Sequence, residues 1–156
     1  MSELRVPTVV LAVEIECADG RIFAGRIFIP AASPLHDGPT RIEEWMNAAG
    51  SFFPFLADES GSPVLMNKRE VLVLSATVPD TGLLEEPDLD SPVRRVRVEA
   101  EKRRLEGNLV IDMPPGHLRV LDYLNRAEPF LLLHEGAVRH LIQKERVTRV
   151  IEVREE

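Results

Sequence analysis

The side chains best suited to catalysis or metal binding in this chain of 156 residues are few and widely separated. They are four histidines and one cysteine: His36, His117, His134, His140 and Cys17. No two histidines stand at the H-x-x-x-H or H-E-x-x-H spacing of a helical zinc site. His134 and His140 flank a turn at Glu135-Gly136, but a pair of histidines falls short of a full ligand set. The sequence therefore predicts no metal centre and no cofactor.

The remaining nucleophile and acids also lack a catalytic setting. Glu16 and Asp19 flank Cys17, and negative neighbours raise a thiol pKa, which favours an inert cysteine. The adjacent carboxylates Glu43 and Glu44 would need a cleft with contrasting environments to act as acid and base. We expect them instead on the solvated face of a short helix. These patterns predict that the protein is not an enzyme.

The strongest charge feature is a group of arginines early in the second half of the chain. On neighbouring strands of a hairpin they would gather and offer a site for a phosphate-bearing nucleotide or RNA. They are Arg94, Arg95, Arg97, Arg103 and Arg104. Aromatic residues make up only 5% of the chain, so stacking platforms for bases are scarce. The alternatives are a solvated face or docking against an acidic part of the same chain.

Composition indicates a globular protein in a reducing compartment. Hydrophobic residues make up 44% of the chain and charged residues 29%, with a net charge of −7. A single cysteine excludes an intrachain disulfide. No apolar run approaches the roughly 20 residues of a membrane span, and the first residues do not resemble a signal peptide. We therefore expect a cytoplasmic protein without membrane partners.

The chain contains an internal similarity that predicts a tandem repeat. Residues 13–75 and 96–151 match in the same order, with roughly a quarter of the aligned positions identical. Gly25 corresponds to Gly107, and Lys68 corresponds to Lys144. The predicted organisation is a first repeat at 1–76, an acidic, proline-containing linker at 77–92 and a second repeat at 93–156. The net charges of these segments are −4, −5 and +2.

Each copy shows the element pattern β-β-α-β-β-β. In the first copy we expect strands at Val9–Glu16, Ile22–Ile29, Phe52–Leu56, Pro63–Met66 and Glu70–Leu74. In the second, the later strands are expected at Phe130–His134, Val138–Ile142 and Arg146–Val153. A glycine inside the second strand of both copies predicts a bulge or a sharp bend. Asn47 and Asn125 stand near the helix ends, where a left-handed cap is expected.

Two resemblances bear on the fold. The stretch Val13–Ile29, with Asp19-Gly20-Arg21 at its turn, resembles the first half of an Sm-like or SH3-like small barrel. The second copy carries the pattern L-x-x-L-N-x-x-E-x-F-L, followed by K-x-x-V-x-x-V, and is similar to an uncharacterised bacterial small β-domain family. The resemblance implies bacterial origin and a fold that is mainly β with short helices (α+β). The two repeats would form two small barrels or one pseudo-symmetric pair.

The resemblance to the Sm-like barrel does not extend to the motif with which that family binds RNA, so the resemblance by itself does not predict RNA binding. The second Sm motif contains an Arg-Gly pair that helps to bind RNA, and this chain has Asn67-Lys68-Arg69 and Gln143-Lys144-Glu145 at those places.

The function predicted from these features is a non-catalytic protein–protein interaction or adaptor module. Its surfaces would be sheet edges and helix faces, since exposed edges pair with added strands. The candidate contacts near the last strand of each copy are Lys68, Arg69, Lys144 and Arg146. The alternatives are an RNA- or nucleotide-binding module that uses the arginines of the second repeat, and a structural subunit that assembles with itself into a homo-oligomer.

Overall fold

A computed structural model describes residues 7–78 and 91–153 of the chain. The protein is mainly β with a few short helices. The first half contains β1 (Thr8–Cys17), β2 (Ile22–Pro30), α1 (Ile42–Asn47), β3 (Phe52–Ala57), β4 (Pro63–Asn67), a 3-10 turn (Lys68–Glu70) and β5 (Val71–Thr77). The second half contains β6 (Val93–Ala100), β7 (Arg103–Val110), α2 (Val120–Leu124), β8 (Phe130–Glu135), β9 (Val138–Gln143), a 3-10 turn (Lys144–Arg146) and β10 (Val147–Glu152).

The ten strands form one open antiparallel sheet. Their order across the sheet is β10-β6-β7-β8-β9-β5-β1-β2-β3-β4. The two halves meet where β5 pairs with β9, in a register that places Leu74 opposite Leu141 and Ser75 opposite His140. Each half thus has its fifth strand beside its first, and its fourth strand at the far side. β4 and β10 lie at the two edges of the sheet.

Residues from both halves share two hydrophobic cores. The first core contains residues of β1 and β2, and Phe130, Leu132 and Leu141 from the second half also belong to it. The second core surrounds β6 and β7, and Leu72 and Val73 of β5 belong to it. Strands β5, β8 and β9 are therefore buried on both faces, which accounts for their uninterrupted apolar runs.

Gly25 and Gly107 lie where the backbone of another strand approaches closely. A Cβ placed on Gly25 would lie 2.2 Å from the carbonyl oxygen of Leu56, and one on Gly107 would lie 2.6 Å from that of His134. The register shifts in the sheet fall elsewhere, between Glu16 and Cys17 of β1 and in β10. The register runs without a shift through both glycines, so the bulge alternative is wrong, and the sharp bend stays a prediction. Glycine is required because the backbone of the paired strand, β3 beside Gly25 and β8 beside Gly107, leaves no room for a Cβ.

Most of the predicted linker, residues 79–90, lies outside the described residues. Its first residues belong to the fold: Thr77 ends β5, and the N–H of Val78 donates to the carbonyl of Ala137 at 3.0 Å. At the other end, the carbonyl of Pro92 accepts a hydrogen bond from Ile111 at 2.8 Å. Thr77, Val78 and Pro92 are thus hydrogen-bonded to the rest of the fold, and the division of the chain at 77–92 stays a prediction.

Candidate interaction surface

The edge strand β4 exposes apolar side chains. Leu65 is 72% exposed, Val64 is 38% exposed, and Phe52 on the neighbouring strand β3 is 56% exposed. Within the described ranges, β4 pairs with β3 alone, so one side of β4 has no strand against it. An apolar edge of this kind can accept a further strand.

The corresponding strand of the second half shows how such an edge is covered. β9 lies against β5, and its residues Leu141 and Ile142 are fully buried. Phe130, on the strand before it, is only 2% exposed. The strand that follows the same turn in each half is thus buried in one case and bare in the other.

The outward hydrogen-bonding groups of the edges follow from the ladder. The N–H of Lys68 donates to the carbonyl of Ser51 at 2.8 Å, on the β3 side. Because successive N–H groups of a strand point to opposite sides, the N–H of Leu65 points away from β3. In β10 the N–H of Val153 donates to the carbonyl of Arg95 at 2.9 Å, so the N–H of Val150 points away from β6.

Asn47 joins the two halves through its side chain. Its Nδ2 donates to the carbonyl of Phe130 at 3.2 Å, and its Oδ1 accepts from the N–H of Phe130 at 2.9 Å. The expected left-handed cap is wrong, because the described residues outside glycine have a positive φ only at Glu101, and Asn125 has φ −85°. The amide instead satisfies both backbone groups of one residue of β8.

Gln143 is a second polar link between the halves, and it is nearly buried. Its Nε2 lies 2.7 Å from the carbonyl of Val71, 3.0 Å from that of Arg69 and 3.2 Å from that of Lys68. The side chain thereby satisfies carbonyl groups around the 3-10 turn of the first half.

Charged side chains also cross the junction. Arg41 lies 2.8 Å from Asp112, and Arg103 lies 3.4 Å from Glu16. All four carry part of their side chain in solvent, so each pair contributes modestly to stability. They do add specificity to the way the halves meet.

The predicted contact residues Lys68 and Lys144 hold their own helices. The Nζ of Lys68 donates to the carbonyl of Ala48 at 2.8 Å, and that of Lys144 donates to the carbonyl of Arg126 at 2.9 Å. Burial lowers the pKa of both lysines, and Arg126 lowers that of Lys144 further. Both lysines therefore stabilise the chain just after a helix.

Arg69 and Arg146, the other two predicted contacts, meet at the junction. The Nη2 of Arg146 donates to the carbonyl of Arg69 at 3.3 Å, and its Nη1 lies 3.4 Å from Glu101. A cleft of about 210 Å³ opens beside them. Its lining residues include Lys68, Arg69, Phe130, Gln143 and Glu145.

The predicted anion-binding arginines do not form one patch. Arg95 and Arg97 lie 3.4 and 3.9 Å from Glu106, which stands opposite Arg97 on the neighbouring strand. Arg103 reaches across the junction to the first half, as above. Arg94 donates to the carbonyl of Val93 at 3.1 Å, and Arg104 stands opposite Glu99 in the ladder. Acidic side chains are interspersed among these arginines.

A polar network at the junction brings together groups used in nucleophilic catalysis. The Oγ of Ser75 lies 2.7 Å from Nδ1 of His140, and Nε2 of His140 lies 3.0 Å from Glu135. A serine nucleophile needs donors for the developing oxyanion as well. Ser75 lies within β5, which is hydrogen-bonded to β1 and β9, so the nearby N–H groups are engaged in the ladders. The network satisfies polar groups where the halves meet.

The other candidate residues lie apart. His134 is opposite Arg139, so it does not face His140 directly. Among the described residues, no three histidine, cysteine, aspartate or glutamate side chains are grouped to hold a metal ion. Cys17 is buried. Its burial raises the pKa of the thiol, and the negative charge of Asp19 raises it further.

Glu44 is not solvated as predicted. It accepts hydrogen bonds from the hydroxyl of Ser33 and from the N–H of Arg41, and its Oε1 lies 2.9 Å from His36. Burial raises the pKa of Glu44, but these donors outweigh burial and hold it below its ordinary value. Glu44 therefore ties the loop before α1 to the helix.

Comparison with protein-family models, with curated proteins and with solved structures finds no match to this chain. None of the helices in residues 7–78 and 91–153 has the length and apolar character needed to cross a membrane.

Sequence reasoning missed Asn47, Gln143 and His140 as residues that join the halves. Their partners are 65 to 83 positions away in the chain.

Proposed function

We propose that this chain is a bacterial cytoplasmic protein-interaction module that works without catalysis and binds its partner by strand addition. The observation that carries the proposal is the edge strand β4, which presents Val64 and Leu65 beside the exposed ring of Phe52. Backbone groups on such an edge give affinity, and the alternating side chains give specificity. Within residues 7–78 and 91–153 the second edge strand, β10, pairs with β6 alone, so its other side offers backbone groups in the same way.

The proposal includes a tandem organisation of two small barrel-like units that share one sheet. Three parallels support it. The strand orders β5-β1-β2-β3-β4 and β10-β6-β7-β8-β9 correspond. The N–H groups of Arg41 and Arg119 donate to a carboxylate three residues on, at 3.3 and 3.2 Å. The N–H groups of Lys68 and Lys144 each donate to the start of the third strand of their half at 2.8 Å.

The alternative of RNA or nucleotide binding has weaker support. Glu106 contacts both Arg95 and Arg97, and Glu99 accepts from Arg149 at 2.8 Å. An anion would have to compete with these carboxylates for the arginines. Interspersed charges of this kind are typical of an ordinary solvated surface.

The test is affinity capture with variants of the β4 edge. Leu65→Lys places a charge on the edge, and Leu35→Lys is the matched control, because Leu35 is 75% exposed on a loop. We expect Leu65→Lys to lose the partner protein and Leu35→Lys to keep it. Hydrogen exchange of the complex should show new protection at the amides of Leu65 and Asn67, whose N–H groups point away from β3.

Two results would contradict the proposal. One is a partner that binds the wild type and Leu65→Lys equally well. The other is co-purification of RNA or a nucleotide, with no protein, in a form released by charge reversal of Arg95 and Arg97. Circular dichroism of each variant checks that it is folded.

A further inference from the structure

We infer that the partner of the β4 edge is the β10 edge of a second copy of this chain, in a head-to-tail assembly. This inference rests on the proposed function and names the partner. The template for the contact is the junction inside the molecule, where β9 of one half pairs with β5 of the other. In the first half, β4 has the place that β9 has in the second; in the second half, β10 has the place that β5 has in the first. In the described part of the chain, neither β4 nor β10 has such a neighbour.

The backbone groups of the two edges are in phase for this pairing. At the internal junction Leu141 stands opposite Leu74. The N–H of Val78 donates to Ala137, so alternation points the N–H of Leu74 toward β9 as well. At the edges, Leu65 of β4 corresponds to Leu141, and Val150 of β10 corresponds to Leu74. The N–H groups of Leu65 and Val150 point outward. The expected register therefore pairs Leu65 of one copy with Val150 of the next.

The contact between copies would cover exposed side chains of the first half whose counterparts in the second half are buried at the internal junction. Leu65 corresponds to the buried Leu141, and Phe52 corresponds to the buried Phe130. Val150 and Ile151 of β10 are half-buried in one copy and would complete the apolar contact. Asn125 of one copy would reach the backbone of Phe52 in the next copy, as Asn47 reaches the backbone of Phe130 within one chain.

Charge favours the same arrangement. The first half, which carries the β4 edge, has a net charge of −4, and the second half, which carries the β10 edge, has +2. A head-to-tail contact brings the acidic half of one copy against the basic half of the next. A contact between two β4 edges or two β10 edges would bring like charges together.

A head-to-tail contact uses two different surfaces, so each copy has one of each to offer. Such assembly continues until the rotation between copies closes a ring, or extends as a filament. The wild-type protein should therefore have a mass well above that of the 17.5 kDa chain. Blocking either edge should stop growth, and only molecules blocked at opposite edges should still pair.

The first experiment uses this complementarity. Leu65→Pro and Val150→Pro each remove one outward N–H, and proline is tolerated at an edge where the N–H faces solvent. By light scattering we expect an oligomer for the wild type and a monomer for each variant. A mixture of the two variants should form a one-to-one dimer, since each retains the edge that the other lacks. Circular dichroism confirms that both variants fold.

The second experiment tests the register. Ser75 and His140 stand opposite each other at the internal junction, and Ile151 and Val64 are their counterparts at the edges. Val64→Cys with Ile151→Cys in one chain should give an intermolecular disulfide ladder under mild oxidation. Val64→Cys with Val150→Cys is the control, because neighbouring residues of a strand point to opposite faces.

A monomeric wild type overturns this inference, and so do variant monomers that form no dimer when mixed. The proposed function is judged separately, by whether Leu65→Lys loses the protein that the wild type captures, either a second copy or a protein of another sequence. A monomer that still captures a protein of another sequence through β4 overturns the self-pairing and leaves the interaction module standing. A monomer whose capture ignores Leu65 overturns both.

Discussion

At the scale of single residues, Asn47 performs the task of a neighbouring strand. Its amide pairs with both backbone groups of Phe130, where α1 meets the start of β8. A carboxamide has a donor and an acceptor at the spacing of a peptide group, so it can substitute for one rung of a ladder. Asn125 occupies the matching place after α2, with φ −85°.

Asn47→Ala should destabilise the folded chain by about 1–3 kcal/mol, because two backbone groups lose their partner in a half-buried place. Urea denaturation of the full chain measures this. Asn125→Ala is the matched control and should cost less in a chain held monomeric by Val150→Pro. Equal losses for the two asparagines would show that the junction contact adds nothing.

Gly25 and Gly107 give a second prediction at this scale. Gly107→Ala places a methyl group 2.6 Å from the carbonyl oxygen of His134, and Gly25→Ala places one 2.2 Å from that of Leu56. We expect losses of about 1–3 kcal/mol or more, since the obstacle is backbone and cannot swing aside. Gly136→Asn is the control: that residue has φ +58° and no atom within 4 Å, and asparagine tolerates this conformation. Thermal unfolding midpoints would contradict the account if Gly107→Ala matched the control.

At the scale of elements, the loop before α1 is fastened to the helix by one carboxylate. Glu44 accepts from Ser33 and Arg41 and contacts His36. The donors hold the pKa of Glu44 below its ordinary value despite burial. A lowered pKa in the folded state means that the charged carboxylate stabilises the fold. This contribution is complete above the unfolded pKa of about 4.3 and is lost as the pH falls through the lower, folded value.

Glu44→Gln should therefore be less stable than the wild type at neutral pH, with a difference that shrinks as the pH falls below about 4.3. Unfolding curves of both proteins across the acid range measure the difference. Glu43→Gln, one position earlier on the same helix, is the comparison. A gap between wild type and Glu44→Gln that stays constant with pH would contradict the assigned protonation.

The strands and their hairpin partners could be predicted closely from the sequence, and the pairing between the halves could not. Turn glycines at Gly20, Gly61 and Gly136 all have positive φ and delimit the hairpins. The predicted strand Phe130–His134 ends one residue short of the observed β8 (Phe130–Glu135). Pairing of β5 with β9 depends on contacts between residues far apart in the chain, which local patterns do not encode. Leu131 and Leu132 belong to one apolar run, and no local pattern indicates that they enter different cores.

At the scale of the whole molecule, the halves complete each other. Leu72 and Val73 of the first half pack in the second core, and Phe130 and Leu132 of the second half pack in the first. A unit of about 60 residues is marginal by itself. Sharing β5, β8 and β9 between two cores gives both halves the burial that neither has alone.

Residues 1–78 and 91–156, prepared as separate fragments, should each lack fixed tertiary structure, and a mixture of the two should regain it. The near-ultraviolet signal of Trp45 and dispersed amide resonances of both fragments report the change. Well-dispersed spectra from either fragment alone would contradict the sharing of cores. This outcome would favour two independent small barrels.

The buried thiol of Cys17 can report how often the sheet opens locally. Cys17 lies in β1 at a register shift beside β5, and burial raises the pKa of its thiol. A thiol in this state reacts with a disulfide reagent only after the surrounding strands have separated. The labelling rate therefore measures how often β1 parts from β5, one strand away from the junction, without any change to the natural sequence.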